Sequence, residues 1–162
     1  MTRALLAARL SVLAQLTCAL ASCAPGPASY PLQVIETTTF APSLGVDLAA
    51  SAKQPSGVYY RDTTLGTGAA VAVGSVIDVH YVGSLYDGTV FDQSVGSDPT
   101  LHIQYGVGNL VPGFDKGLTG AKVGGTRQLV IPPAQGYGPG GSPPKIPGNA
   151  ILVFSVTIAA VQ

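Results

Sequence analysis

Charged residues are scarce in this chain of 162 residues. They make up 10% of it, and eight basic side chains balance eight acidic ones. Neither sign forms a run, so nothing here resembles a nucleic-acid patch. The two cysteines, Cys18 and Cys23, both lie near the N-terminus and suggest no disulfide framework. With His80 and His102 as the only histidines and no cysteine after residue 23, a metal site of the usual His/Cys kind is not expected. His80 alternates with Val79 and Tyr81 and is expected to face away from them in a structural role. Glycine spacings that cradle phosphates or dinucleotides are missing, and no Ser-His-Asp order stands out. An enzyme made from this chain therefore works without nucleophile, metal or cofactor. Long apolar runs are absent too. Leu10 to Ala19 is interrupted by Ser11, Gln15 and Thr17, and a bilayer span needs about 20 apolar residues.

What is present is 46% hydrophobic residues with 21 glycines and 13 prolines. That is enough for one core, built from short strands and many turns rather than a helical bundle. The rest of the chain is organised around His80 to Ser94. Ile77, Val79, Tyr81 and Leu85 alternate with Asp78, His80 and Ser84, the period of a half-buried strand. Asp87-Gly88 marks a hairpin, and the returning strand carries Val90, Phe91 and Asp92. A carboxylate among rings such as Tyr81 and Phe91 is costly unless a hydroxyl or a ligand satisfies it.

The N-terminus, with Arg3 and Arg9 flanking its start, reads as a secretory signal. Leu20-Ala21-Ser22-Cys23 resembles the lipobox of bacterial lipoproteins, in which the cysteine is lipidated and becomes the first residue. The alternative is an ordinary signal that leaves Cys23 as a free thiol. Removing residues 1–22 takes away Arg3 and Arg9, leaving six basic against eight acidic residues, a net charge of −2. Membrane attachment would then come from the lipid on Cys23 and not from charge. Ala24, where an aspartate would resemble the inner-membrane retention signal, favours the outer membrane in a two-membrane host. The expected location is the cell envelope, lipid-anchored.

Residues 23–33 form a flexible tether with three prolines between Ala24 and Leu32. Residues 34–56 are an extension in which β-prone Val34–Phe40 is a candidate edge strand. Leu44 to Ala52 fits a short strand or one helical turn. Val58-Tyr59-Tyr60 is the expected first strand of a domain spanning 57–162. Pro112 suits a first helical position, with Phe114 and Leu118 one turn apart. Glycines 113, 117 and 120 make this a helix that only packing can hold. Thr126 to Ile131 is a strand stopped by Pro132-Pro133, and the loop from Ala134 to Asn149 is long enough to be functional. Ala150 to Ala160 closes the chain as a strand. The economical architecture is α+β, one short helix across an antiparallel sheet.

Three stretches carry a family resemblance: VHYVGSLYDGTVFDQS, NLVPGFDKGLTGAKVGGTRQLVIPPAQGYG and IPGNAILVFSV. Together they resemble the FKBP-type (tacrolimus-binding) peptidyl-prolyl cis-trans isomerases, without a gap from about Gly57 onward. The resemblance implies a curved antiparallel sheet wrapped around the helix, with an apolar pocket between them. Tyr81, Phe91 and Asp92 match one wall. Leu110 and Val111 match the entrance, where the Val111 N–H takes a ligand carbonyl. Phe114 matches the floor, where the family usually has tryptophan, and implies a deeper or looser floor. Tyr137 matches a tyrosine whose hydroxyl reaches a second carbonyl, and Ile146 and Phe154 complete the wall. Leu101 and Ile103 stand where aromatics are commoner. Ser97 replaces a frequent arginine, and Gly136, Ser142 and Lys145 replace less flexible or more apolar rim residues. The implied catalytic set is Tyr81, Phe91, Asp92, Tyr137 and Phe154. The implied activity is prolyl isomerisation during folding of exported proteins, on proline-containing polypeptides, with tacrolimus-like macrolides as candidate ligands. A non-catalytic, lipid-anchored chaperone or peptide-binding module is the alternative.

Overall fold

The fold follows from strands that are apolar on both faces. In Thr126–Ile131 and Leu152–Val161 the runs Leu129-Val130-Ile131 and Leu152-Val153-Phe154 contain no polar residue, and all six side chains are buried. Neighbouring residues of a strand point to opposite faces, so such strands need a cover on each side. The structure, a computed structural model, describes residues 31–94, 101–108 and 110–162.

Seven strands form one antiparallel sheet: β1 (Ala52–Lys53), β2 (Tyr59–Thr64), β3 (Val76–Leu85), β4 (Val90–Gln93), β5 (Leu101–Gln104), β6 (Thr126–Ile131) and β7 (Leu152–Val161). Their spatial order is β1-β2-β6-β7-β3-β4, with β5 also paired to β3. The ten-residue β3 thus divides one of its sides, giving Val76–Val79 to β5 and Val82–Ser84 to β4. Its other side pairs with β7 over almost its full length. Irregular pairings interrupt β2–β6, β3–β4 and β3–β7, and such bulges add the twist that lets a sheet curve.

The single α-helix among the described residues, α1 (Pro112–Leu118), lies on the concave face, burying Phe114 and Leu118 with Leu129, Ile131, Leu152 and Phe154. Its glycines are explained by how closely it packs. A Cβ on Gly113 would lie 2.3 Å from Ile131 Cγ2, and one on Gly117 would lie 2.6 Å from Leu129 Cδ2. Seven residues with two such glycines have little helical propensity, so the surroundings supply what the helix lacks. Its last carbonyls accept hydrogen bonds from outside it: Asp115 from the Tyr105 hydroxyl, Lys116 from Gln54 Nε2 at 2.9 Å, and Gly117 from Arg127 Nη1 at 3.1 Å. Arg127 Nη1 also reaches the Thr119 carbonyl at 2.9 Å, while Nε and Nη2 grip the Asp62 carboxylate at 2.6 and 2.9 Å.

The convex face is covered by the N-terminal extension. Ile35 is buried against Tyr59, Val130, Ile151 and Val153, and Phe40, Leu44, Val46 and Leu48 complete this second cluster. The expected edge strand at Val34–Phe40 is not formed. Ile35–Thr37 is a 3₁₀ turn, and its hydroxyls Thr37 and Thr38 bond back to the Val34 carbonyl, satisfying the backbone locally rather than through a ladder. Between Leu44 and Ala52 neither single alternative holds. Pro42–Leu44 is a 3₁₀ turn, irregular chain follows, and the strand begins only at Ala52. That strand precedes the expected first one at Val58–Tyr60, whose observed bounds are Tyr59–Thr64. The loop from Ala134 to Asn149 carries 3₁₀ turns at Pro133–Gln135 and Gly138–Gly140.

Candidate active site

Four aromatic rings meet between the concave face and α1, with Phe154 of β7 at their hub. Phe114 stands edge-on to Phe154 at 5.3 Å and 83°, Phe91 does so at 5.6 Å and 86°, and Tyr81 lies 6.3 Å away. Tyr81 and Phe114 close the ring edge-on at 6.5 Å. Edge-to-face contacts of this kind fix each ring's orientation and add about 0.5–1.5 kcal/mol per pair beyond burial. Phe114 and Phe154 are each 4% exposed, so the floor of the pocket is buried. The cavity these rings bound is about 100 Å³, and Asp92, Leu101, Leu110, Val111 and Tyr137 complete its lining.

Phe91 and Asp92 are consecutive, and in a regular strand only one of them could face the pocket. The register explains how both do. Gly83 pairs with Asp92 but Ser84 pairs with Val90, leaving Phe91 as the extra residue of a bulge in β4. Bulges beside active sites re-aim side chains in this way. Space for the rings comes from Gly83, where a Cβ would lie 2.8 Å from ring atoms of both Phe154 and Phe91.

The polar groups sit at the lip. The Tyr81 hydroxyl donates to Asp92 Oδ2 at 2.6 Å, and Asp92 Oδ1 accepts from the Gln93 N–H at 3.0 Å. Burial, and then the bond to Asp92, raise the Tyr81 pKa, so its phenol keeps its proton well into the alkaline range. Val111 caps the start of α1, its carbonyl accepting from the Phe114 and Asp115 N–H groups at 2.8 and 3.3 Å. Tyr137 stands 43% exposed across the mouth. No group of three or more His, Cys, Asp or Glu side chains suited to a metal occurs among the described residues.

Nine residues singled out from the sequence therefore line one pocket: Tyr81, Phe91, Asp92, Leu101, Leu110, Val111, Phe114, Tyr137 and Phe154. Two do not. Ile103, two residues along β5 from Leu101, packs on the core beyond the pocket's edge, and Ile146 lines an adjoining cleft instead. His80 lines neither cavity. Ser97 and Cys23 lie outside the described residues. Sequence reasoning passed over Gly83 and β5. The alternation Leu101-His102-Ile103-Gln104 carried the signal for the strand, whereas the need for Gly83 arises only once Phe91 and Phe154 face each other.

Comparison with known proteins places this geometry. The family model for FKBP-type peptidyl-prolyl cis-trans isomerases matches residues 68–159, and the chain belongs to that family. It is 51% identical over 89 residues to peptidyl-prolyl cis-trans isomerase FKBP15-1 of Arabidopsis thaliana, covering 55% of this chain and 58% of that protein. It is 39% identical over 110 residues to FK506-binding protein 4 of Rhizopus delemar, covering 68% of this chain and 28% of that one. The chain thus spans well under two thirds of the length of either relative. Among solved structures, FkpA from Escherichia coli aligns with a TM-score of 0.63 at 34% identity, over 70% of this chain and 52% of that one. AtFKBP13 aligns with a TM-score of 0.63 at 33% identity, over 69% of this chain and 98% of that one.

Proposed function

We propose that this protein is a peptidyl-prolyl cis-trans isomerase acting through the aromatic pocket. The observation that carries the reading is a small pocket walled by four rings, whose lip holds the Tyr81–Asp92 pair. Rotation about an X-Pro bond meets a barrier of ~18–20 kcal/mol, and water helps to keep the amide planar by stabilising its separated charge. Seating the proline among Tyr81, Phe91, Phe114 and Phe154 removes that water and weakens the double-bond character. The Val111 N–H and the Tyr137 hydroxyl hold the flanking carbonyls while the bond twists. Asp92 orients Tyr81 and polarises the twisted amide. Contacts tighter to the twisted state than to either planar one lower the barrier, and about 5–7 kcal/mol would supply four to five powers of ten.

Turnover of a proline tetrapeptide with an apolar residue before the proline tests this reading, with wild type beside Asp92→Leu. Catalysis in wild type that falls at least tenfold in Asp92→Leu is expected. A wild-type rate no higher than background, with peptide still bound, would leave the non-catalytic binding module as the function.

The same pocket is assigned to tacrolimus-like macrolides, on the strength of the name borne by the Rhizopus relative. Exported proteins at a bacterial envelope are the proposed clients, with Cys23 as a lipid anchor. The support is the stretch Leu20-Ala21-Ser22-Cys23. No helix among the described residues is long and apolar enough to cross a membrane. Mass spectrometry of the mature N-terminus checks the anchor. An acylated Cys23 is expected, and an unmodified one would refute it.

A further inference from the structure

Beside the aromatic pocket lies a second cleft of about 310 Å³ that shares its wall of Phe91, Asp92 and Tyr137, with Ser142–Ile146 forming the far side. Because the two cavities share this wall, the cleft offers room for one flanking arm of a polypeptide whose proline fills the inner pocket. The far side is well braced. Ser142 and Ile146 exchange two backbone hydrogen bonds, at 2.8 and 2.9 Å, and Ile146 is buried.

Among the residues lining the two cavities, Lys145 is the one cation and Asp92 the one anion. The anion is already engaged with Tyr81 and the Gln93 N–H. The cation is fixed to the shared wall by a single bond, Lys145 Nζ to the Phe91 carbonyl at 3.1 Å. It forms no ion pair within 4.0 Å among the described residues. An ammonium carries three donors, so the bond to Phe91 leaves two for a ligand.

We propose that Lys145 makes the site selective for client segments with an acidic side chain within two residues of the proline, on the arm that enters this cleft. The inference rests on the isomerase reading of the pocket and names its substrate class. The plain alternative is that Lys145 only ties its loop to β4, a task that needs a donor and not a charge.

The test uses the full chain and proline peptides carrying Glu, Gln or Lys at each of the two positions on either side of the proline. At one position Glu is expected to exceed Lys in kcat/KM by about two- to fivefold, the upper range of an exposed charge pair. The ratio should shrink towards one at about 1 M salt, where the screening length is ~3 Å. Lys145→Glu should invert it, Lys145→Gln should bring it to one, and Lys145→Arg should preserve it. Because each ratio is internal to one variant, loss of folded protein does not distort it. Ratios near one at all four positions, or a preference that survives in Lys145→Glu, would overturn the proposal. Absence of turnover with every peptide would overturn the isomerase reading instead, and the same ratios taken from dissociation constants would still decide the charge preference.

Discussion

Arg127 supports the pocket without entering it, and its replacement by alanine should be among the most damaging single changes in the domain. The side chain is 6% exposed. It grips Asp62 through two nitrogens, donates to the Gly117 and Thr119 carbonyls, and lies over the Tyr60 ring at 4.7 Å. Alanine would leave two carbonyls at the end of α1 without this donor and a carboxylate without its partner. Removing one member of a buried pair costs about 3–5 kcal/mol. The Asp62 side chain is 31% exposed and regains some water, which places the expected loss near the lower end, about 3 kcal/mol. Against a typical stability of about 5–15 kcal/mol, the variant should still fold but unfold at a clearly lower urea concentration. Urea titration followed by circular dichroism measures this, and an unchanged slope would confirm that the folded state is otherwise the same. Arg127→Lys should recover only part of the loss, because an ammonium cannot reproduce the two-pronged grip. A loss below about 1 kcal/mol, the value of an exposed pair, would refute the claim that this arginine holds the helix and, through it, Val111 and Phe114.

Three further outcomes follow from the packing. Gly83→Ala should push the Phe91 and Phe154 rings into the pocket, since the new Cβ would lie 2.8 Å from both; a stability loss of about 1–3 kcal/mol with at least tenfold slower isomerisation is expected, and a variant as active and stable as wild type would refute it. Ile35→Ala should cost about 2–5 kcal/mol in urea titration, because Ile35 is buried in the convex-face cluster; an effect under about 1 kcal/mol would mean that the extension does not stabilise the sheet. Glu36 is held down to about 2, first by the hydrogen bond from Lys53 and then by that from Tyr59. Its contribution to stability is therefore present above its ordinary value of 4.5 and is lost as pH falls towards about 2. Glu36→Gln should flatten the fall of melting temperature across that window, and an unaltered slope would refute the assignment.

The pocket was legible because its residues belong to short, local patterns. The tyrosine of one strand, the hairpin, the Phe91-Asp92 pair and the Pro112-Gly113-Phe114 turn each occupy a few neighbouring positions, and their spacing survives reading without a structure. The start of α1 and the end of β6 were legible for the same reason, since Pro112 and Pro132-Pro133 act on the residues beside them. Errors fell where a distant partner decides the outcome. Val34–Phe40 has the composition of a strand, but the sheet's convex face draws Ile35 inward instead.

What holds the pocket together was hidden for a related reason. Arg127 and Asp62 are 65 residues apart, and Gln54 and Lys116 are 62 apart, so nothing local marks them as partners. Side by side in sequence, Phe91 and Asp92 look incompatible with one face, and only the register of β4 on β3 reconciles them. Gly113 and Gly117 weaken α1 when read alone, yet any larger residue would drive the helix off β6. The glycines that reduce local propensity are thus the ones that allow the closest tertiary contact. The helix is therefore stable only in place, with its carbonyls held by Gln54, Tyr105 and Arg127. A change at any of those three should reach the pocket through Val111 and Phe114 without altering any of the four pocket rings.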